Sequence, residues 1–501
     1  MVVGAGIGGL AAAADLARRG ARVTVLERAA AAGGKMRQLA PPGSAGIDAG
    51  PTVFTMRWIF EGLFADAGRS LGDALELVPA SVLARHAWRA GGRLDLHADV
   101  ARSAEAIGDF AGAADARGYR EFVARAADIH RTLLAPFIAA ERPSPAELVR
   151  RVGFARLDAL WRTAPWRTMW GALGDHFRDP RLHQLFGRYA TYCGCSPFLA
   201  PATLMLVAHV EQEGVWLVRG GMVRVARAIQ ALAEAQGAAF RFGAHVARIE
   251  AQGGRATGVT LADGERIAAD AVLFNGDAGA LAQGLLGGAA RGAAAAVPRA
   301  ARSLSAVTWC VRGEAAGFPL HHHNVFFAED YAGEFEAVFR RRTIAAAPTV
   351  YLCAQDRGVG EVAPGTPERM LLLVNAPPDG DLRDMAPDLP DLAGRALALL
   401  RDCGLGLRLD GAVVTTPAGF DALLPGTGGA LYGRASHGAT GTFARPGAAS
   451  RLAGLYCAGG SVHPGPGIPM AAMSGRLAAA RILEDLSGRA RRVVALPVPT
   501  A

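Results

Sequence analysis

Lysine is almost absent from this chain. Lys35 is the single lysine among 501 residues, so arginine supplies nearly all of the 53 basic side chains, which stand against 45 acidic ones in a formal net charge of +8. The arginines recur along the whole chain, and no concentrated basic block indicates nucleic-acid binding. A diffuse positive field instead favours an anionic membrane surface as a partner.

Cysteine pairs and long hydrophobic runs are also missing. The six cysteines form no Cys-x-x-Cys motif, and a chain of this length needs no disulfide staples, which predicts reduced thiols in a cytoplasmic protein. The first residues do not resemble a secretory signal, because a glycine motif begins at Gly4. No apolar run reaches the roughly 18 residues of a spanning helix. The best candidate, residues 199–210, contains Pro201 and His209, and we expect a core helix there.

A hydrolytic triad and metal-ligand spacing are not recognisable either. The conspicuous histidine cluster is His321-His322-His323. Consecutive residues cannot all face one ion on a strand or a helix, so we expect a loop or a strand edge there and no metal.

Glycine motifs are what the sequence does contain, and the first of them opens the chain. Residues 2–3 are followed by Gly4-Ala5-Gly6-Ile7-Gly8-Gly9, by a helix through Arg19, by a strand over 22–26 and by Glu27. Strand, glycine turn, helix, strand and acid in this order predict a Rossmann-type dinucleotide-binding domain. The motif alone does not separate FAD from NAD.

Each residue type in this motif has a physical role. Gly4 permits the tight turn, Gly6 leaves room for a pyrophosphate, and Gly9 lets the helix pack closely on the sheet. The amino terminus of the helix presents N–H groups to phosphates. Glu27 stands where a carboxylate can accept hydrogen bonds from ribose hydroxyls.

Further glycine-rich turns follow later in the chain. Gly33-Gly34-Lys35-Met36-Arg37 suits a second phosphate approach, and a solvated basic turn fits it equally well. Gly220-Gly221-Met222 opens an amphipathic helix over 223–235. Residues 454–470 combine a strand, a glycine-proline loop and a helix start near Ala471. Short strands are expected over residues 240–242, 246–249, 258–261 and 271–274.

Taken together, these motifs resemble the flavin-dependent carotenoid desaturases of the bacterial phytoene-desaturase type, within the amine-oxidase-like flavoproteins. The resemblance rests on the opening motif, on Asp48-Ala49-Gly50-Pro51-Thr52-Val53, on the Gly220-Gly221-Met222 helix start and on the loop over 457–470. Four stretches resemble one branch in particular, the hydroxycarotenoid 3,4-desaturases (methoxyneurosporene dehydrogenases) of purple bacteria. These stretches are residues 50–58, 324–327, 353–357 and 428–434.

The resemblance implies an α/β architecture with FAD as the cofactor. A discontinuous Rossmann-type FAD-binding domain would comprise residues 1–75, 215–280 and 450–490. An interleaved α+β substrate domain with an apolar tunnel would comprise residues 76–214 and 281–449. The residues implied to contact FAD are Gly4, Gly6, Gly9, Glu27, Lys35, Gly50, Pro51, Thr52, Val246, Ser461, Gly467, Ile468, Pro469 and Met470.

The implied reaction is desaturation of an acyclic carotenoid that carries a hydroxyl or methoxy group, with a quinone or oxygen as electron acceptor. Hydride transfer to flavin requires only that the protein position the polyene, exclude water and manage a proton. His463 and Arg434 are candidate proton or hydroxyl partners, and either could be structural. A phytoene desaturase, a flavin-dependent carotenoid isomerase and a non-catalytic carotenoid carrier remain alternatives.

Two expectations concern the periphery of the molecule. Tryptophans and arginines recur over residues 154–174, where Pro165 divides two short helices, and this pattern suits either a bilayer interface or a packed helix pair. A bilayer interface would imply peripheral association with the inner or photosynthetic membrane. The strand before Gly4 has only two residues, which is short for a central strand. We therefore expect the native protein to carry additional residues before Met1.

Overall fold

A five-stranded parallel sheet carries the glycine motifs. The computed structural model describes residues 1–360, 362–488 and 493–499. Parallel neighbours need crossover connections, and here these connections bring three distant parts of the chain into one sheet. In spatial order its strands are Leu455–Cys457, Val272–Phe274, Val2–Val3, Thr24–Glu27 and Ala239–Phe242. The three parts lie within the expected FAD-binding segments, whose exact bounds stay predictions.

Three long helices pack beside this sheet. Ile7–Arg18 contacts both Val223–Ala235 and Ile468–Leu486. A buried ion pair joins the first helix to the last, with 3.0 Å between Arg476 Nε and Asp15 Oδ2. The predicted helix over 223–235 is confirmed at both ends.

A seven-stranded mixed sheet forms the second layer of the molecule. All its neighbours are antiparallel except the pair His323–Phe327 and Val82–Trp88. The apolar side of helix Leu389–Asp402 joins its hydrophobic core. In order its strands are Gly406–Thr415, Ser305–Ala316, Glu368–Ala376, Val350–Ala354, His323–Phe327, Val82–Trp88 and Arg93–His97. The expected α/β class with an additional α+β part is confirmed.

Smaller elements complete the fold. A three-stranded antiparallel sheet consists of Val246–Gln252, Arg255–Leu261 and Arg266–Ala268. Two-stranded pairs are formed by Gln38–Leu39 with Ile47–Asp48, and by Leu77–Pro79 with Trp216–Val218. The other α-helices are Arg57–Asp66, Leu71–Ala74, Val100–Ala111, Ala113–Leu133, Pro145–Val152, Leu157–Arg162, Met169–Leu173, Pro180–Gly187, Leu206–Gln212, Ala278–Ala282, Tyr331–Glu336 and Pro417–Leu423.

One helix prediction needs correction. Residues 199–210 do not form one core helix: Leu199 is 48% exposed, and the α-helix begins only at Leu206, after a 3-10 turn over Ala202–Met205. Pro201 precedes that turn, and a proline disfavours helical backbone at the residue before it. Within the described part of the chain, no helix combines the length and the apolar character that crossing a bilayer demands.

The segment 154–174 divides into an exposed part and a buried part. Helix Leu157–Arg162 keeps Trp161 69% exposed, and Trp166 in the following turn is 50% exposed. Their ring centroids lie 3.9 Å apart. Helix Met169–Leu173 is instead buried, and its Trp170 packs against Phe198. The packed interpretation therefore holds for the second helix, and the exposed aromatic face belongs to the first.

Candidate active site

One large cavity lies between the two sheets. Its volume of about 1310 Å³ exceeds the roughly 300–1,000 Å³ of an ordinary small-molecule site. Every residue of the expected FAD set lines it except Gly9. Its wall continues along apolar side chains of the helical region and of the mixed sheet, namely Leu133, Phe137, Leu148, Leu160, Leu206, Val325 and Leu371. The cavity therefore offers space for a dinucleotide together with a long apolar molecule.

The opening glycine turn leaves space that side chains would fill. Gly4 has a φ of +99°, which L-residues rarely adopt. A Cβ on Gly6 would lie 2.9 Å from Asn275 Nδ2, and one on Gly9 would lie 2.2 Å from the carbonyl oxygen of Gly4. Gly9 thus supports the turn from beneath. The cradle fits a pyrophosphate that approaches the backbone closely.

Asn275 holds this turn in place, and the sequence pattern did not identify it. Its Nδ2 donates a hydrogen bond to the Gly4 carbonyl oxygen at 3.2 Å, and the residue lines the cavity. It directly follows strand Val272–Phe274, which pairs with Val2–Val3. A polar residue at the carboxyl end of a strand beside the first strand was the available signal.

Glu27 is buried at the end of its strand. Its two carboxylate oxygens accept hydrogen bonds from the backbone N–H groups of Ala5, at 2.7 Å, and Ala29, at 2.8 Å. A carboxylate has about four acceptor positions. Glu27 can therefore fix the glycine turn and still accept hydrogen bonds from ribose hydroxyls in the cavity.

Asp48 holds the turn Gly220-Gly221-Met222 in place. Its Oδ2 accepts a hydrogen bond from the Met222 N–H at 2.6 Å, and a Cβ on Gly221 would lie 2.6 Å from the same oxygen. Burial raises the pKa of Asp48, and the Met222 hydrogen bond opposes that rise. Gly50 is equally constrained, because its Cβ would lie 1.8 Å from the Lys35 carbonyl oxygen. These contacts set the path of Gly50-Pro51-Thr52 along the cavity wall.

Lys35 lines the cavity, and its Nζ donates to the Leu431 carbonyl oxygen. Burial lowers the pKa of Lys35, and the charge of Asp277 partly offsets this effect. Val246 and Ser461 also line the cavity, and the Ser461 hydroxyl accepts a hydrogen bond from the Ala278 N–H at 3.3 Å. The structure brings all these residues to one space, and their contacts with FAD stay predictions.

His463 and Arg434, the two candidate reaction partners, lie outside the cavity lining. His463 Nε2 lies 2.9 Å from the Phe137 carbonyl oxygen and 3.0 Å from that of Ala140, so this nitrogen carries the proton. Burial lowers the pKa of His463 to about 4. A neutral histidine that bonds two carbonyls favours the structural alternative.

A buried polar cluster stands in the apolar part of the wall. Arg188, Tyr192 and Glu211 all line the cavity. Tyr192 donates to Glu211 Oε1 at 3.0 Å, and the Arg188 guanidinium lies over the Tyr192 ring, 4.9 Å from its centroid. Tyr189 donates to the other oxygen of Glu211. The sequence patterns did not reveal this cluster, although Arg188 and Tyr192 belong to one short helical segment.

A second polar chain begins at Thr52. Its Oγ1 lies 2.7 Å from the Tyr351 hydroxyl, which lies 2.8 Å from His323 Nδ1. The chain bends before strand His323–Phe327, and His322, His323 and Cys353 bring their ligand atoms within 4.8 Å of one another. Burial raises the pKa of the Cys353 thiol and lowers that of His323. A cysteine binds a metal as its thiolate, and a thiol with a raised pKa stays protonated, so Cys353 and the hydrogen-bonded histidines favour a neutral cluster.

Comparison with known proteins shows similarity along nearly the whole chain. Residues 7–483 match the family of flavin-containing amine oxidoreductases. The chain is 54% identical to a hydroxyneurosporene desaturase of Rubrivivax gelatinosus, over 99% of this chain and 95% of the relative. It is 45% identical to a hydroxyneurosporene desaturase of Cereibacter sphaeroides, over 98% of both chains. An oxidoreductase structure from Methanosarcina mazei superposes with a TM-score of 0.60 at 15% identity, covering 96% of this chain and 99% of that one, which supports the fold alone.

Proposed function

The chain belongs to the flavin-containing amine oxidoreductases and, within them, to the carotenoid desaturases, and we propose that it desaturates an acyclic carotenoid bearing a 1-hydroxyl or 1-methoxy group. It is an FAD-dependent oxidoreductase that acts on the CH–CH groups of an apolar carotenoid. The observation that supports the oxygenated substrate is the 54% identity to a hydroxyneurosporene desaturase across 99% of the chain.

In this reaction the protein positions the polyene and shields the reacting carbons from water. FAD, when bound, would supply the two-electron acceptor for the hydride. A proton leaves the adjacent carbon, so one C=C bond replaces two C–H bonds, and a quinone or oxygen then receives the two electrons. The apolar wall orients the polyene and excludes water, which are the contributions that a substrate with few hydrogen-bonding groups allows.

We assign the two ends of the FAD site from the residues that line the cavity and from Gly9, which packs against the Gly4 carbonyl oxygen. The glycine turn Gly4–Gly9, Glu27, Lys35 and Val246 would hold the adenosine and the pyrophosphate. Gly50-Pro51-Thr52, Ser461 and Gly467-Ile468-Pro469-Met470 would border the ribityl chain and the ring. Gly467 is the N-cap of helix Ile468–Leu486, and the three residues that follow it belong to the first turn, whose free N–H groups can meet negative charge.

The exposed aromatic face suits a water-insoluble substrate. Phe154, Trp161 and Trp166 are each at least half exposed, while Leu160 and Pro165 of the same segment line the cavity. Tryptophan is enriched at bilayer interfaces, and the net charge of +8 favours anionic lipid. The protein would therefore bind peripherally to the cytoplasmic side of the inner or photosynthetic membrane and take its substrate from the bilayer.

The test supplies two substrates separately to the purified holoenzyme in liposomes, under anaerobic conditions with a quinone. We expect the 1-hydroxylated acyclic carotenoid to lose two hydrogens by mass and to shift its absorbance to longer wavelength, with little change in phytoene. Efficient conversion of phytoene would move the protein to the phytoene desaturases. A geometric change without a mass change would indicate an isomerase.

A further inference from the structure

We infer that Arg188 and Tyr192 form the site that binds the oxygen at the substituted end of the substrate. This inference rests on the proposed function and names the part of the cavity that would distinguish an oxygenated carotenoid from a plain hydrocarbon. The cluster also contains Glu211, which positions Tyr192.

Arg188 is a charged group without a direct counter-charge. It is 8% exposed, it lines the cavity, and its Nε has no hydrogen-bond partner. Within residues 1–360, 362–488 and 493–499, its guanidinium forms no ion pair with a carboxylate, and it lies over the Tyr192 ring. A guanidinium removed from water is costly unless polar atoms meet its donors. A carotenoid with one oxygen has one group that can do so.

The cluster keeps Arg188 protonated. Burial acts to lower the pKa of Arg188, but Tyr192, Glu211 and Tyr189 outweigh it, and the pKa is raised. Burial also raises the pKa of Tyr192, so its hydroxyl retains its proton and donates it to Glu211. A phenol oxygen that donates to a carboxylate can still accept a hydrogen bond. A substrate hydroxyl can thus accept from Arg188 and donate to Tyr192, whereas a methoxy oxygen can only accept.

Arg188 and Tyr192 line the same cavity as Thr52, which is expected beside the flavin ring. Burial lowers the pKa of His323, and the charges of His322 and Arg188 lower it further. His323 in turn contacts Tyr351, which contacts Thr52. In a 1-hydroxylated chain that reacts at carbons 3 and 4, two or three bonds separate the carbon bearing oxygen from the reacting carbons. Recognition of the oxygen by Arg188 and Tyr192 would hold those carbons within the cavity that Thr52 also lines.

The alternative is that Arg188 merely balances the charge of Glu211. The test compares Arg188→Met, which replaces the charged guanidinium by an unbranched apolar side chain, with Tyr192→Phe and with Tyr189→Phe. The last is a matched control, because Tyr189 donates to the same carboxylate but does not line the cavity. Each holoenzyme is given a 1-hydroxylated carotenoid, its 1-methoxy derivative and the parent hydrocarbon, and the parent's affinity is measured as an inhibition constant.

We expect Arg188→Met to lower kcat/KM for the hydroxylated and methoxylated substrates by roughly 10- to 100-fold. The inhibition constant of the parent hydrocarbon should change by less than about threefold. Tyr192→Phe should lower kcat/KM for the hydroxylated substrate by roughly 3- to 10-fold and leave kcat/KM for the methoxylated one unchanged. Tyr189→Phe should retain the wild-type selectivity.

The outcomes separate this inference from the proposed function. If the wild-type enzyme desaturates the parent hydrocarbon with a higher kcat/KM than the oxygenated substrates, both the inference and the proposed function are contradicted. A wild-type preference for the oxygenated substrate that survives in Arg188→Met overturns the inference alone, as does an equal loss for all three ligands with FAD still bound. If Arg188→Met does not fold, the different responses of Tyr192→Phe to hydroxyl and methoxy decide, and equal responses overturn the inference.

Discussion

The two regions that line the cavity are built in opposite ways. At the expected cofactor end, glycines and backbone N–H groups within short motifs line the cavity, and Gly4, Gly6 and Glu27 lie within 24 residues of one another. In the substrate part, side chains from distant elements provide it, as Arg188, Glu211 and Tyr351 show. The first region depends on the absence of side chains and the second on their presence. Substitutions in the two regions should therefore fail differently.

The largest expected effect is the loss of FAD in Gly9→Ala. Its Cβ would lie 2.2 Å from the Gly4 carbonyl oxygen, which is backbone and cannot rotate away. The turn must shift, and we expect FAD affinity to fall at least about 100-fold, or roughly 2.7 kcal/mol. The measurement is FAD binding followed by fluorescence.

Gly20→Ala is the matched control for this change. Gly20 has a φ of +87°, but a Cβ there would have no neighbouring atom within 4 Å, so the substitution should cost only about 1–2 kcal/mol of stability through backbone strain. FAD affinity should stay at the wild-type value. Equal FAD affinity in Gly9→Ala and Gly20→Ala would contradict the claim that the turn Gly4–Gly9 binds the pyrophosphate of FAD.

Glu27→Ala should weaken FAD binding by roughly 10- to 100-fold, because a charge-assisted hydrogen bond is worth about 1.5–3 kcal/mol. The same change removes the acceptor for the Ala5 and Ala29 N–H groups, so the melting temperature should also fall. Glu27→Gln keeps one oxygen acceptor, so its FAD affinity and melting temperature should lie between those of the wild type and of Glu27→Ala. Unchanged FAD affinity in Glu27→Ala would place the ribose elsewhere.

A pH effect tests whether His463 is structural. Its folded-state pKa of about 4 lies below the ordinary value of about 6.5. The unfolded chain therefore takes up a proton first as the pH falls. The free energy of unfolding therefore has its full value above about pH 6.5. It falls by roughly 3 kcal/mol as the pH decreases from about 6.5 to 4.

His463→Gln retains a donor for the Phe137 and Ala140 carbonyls and does not titrate. Denaturant unfolding between pH 4 and 7 should show a shallower pH dependence in this variant than in the wild type, by about one proton. Identical pH dependence would show that the His463 pKa is not shifted. If the variant loses turnover but keeps the wild-type stability, His463 takes part in the reaction.

The smallest expected effect concerns the membrane. Trp161→Ser with Trp166→Ser removes two exposed rings and should weaken binding to anionic liposomes by roughly tenfold while FAD stays bound. Leu382→Ser is the control, because Leu382 is 65% exposed outside this segment. Loss of FAD and aggregation in the double variant would instead make the two tryptophans part of the core.

What the sequence could predict follows the same division. The glycine turns and the helix over 223–235 were predictable because their signals are local, and the structure confirms that helix from Val223 to Ala235. Asn275 was not, because it meets Gly4 across 271 positions of the chain. The Arg188 cluster was not either, since Glu211 and Tyr192 come together only when separate helical segments pack. His463 had the expected chemistry but packs outside the cavity.

The central claim is that one cavity holds FAD and an oxygenated acyclic carotenoid for direct oxidation. The most direct measurement is an anaerobic single turnover of the holoenzyme with excess 1-hydroxylated carotenoid and no added acceptor, with products counted by mass. We predict one equivalent of product, two hydrogens lighter, for each bound FAD, and none from FAD-free enzyme. Product from FAD-free enzyme, or a holoenzyme that returns the substrate with unchanged mass, would contradict the account.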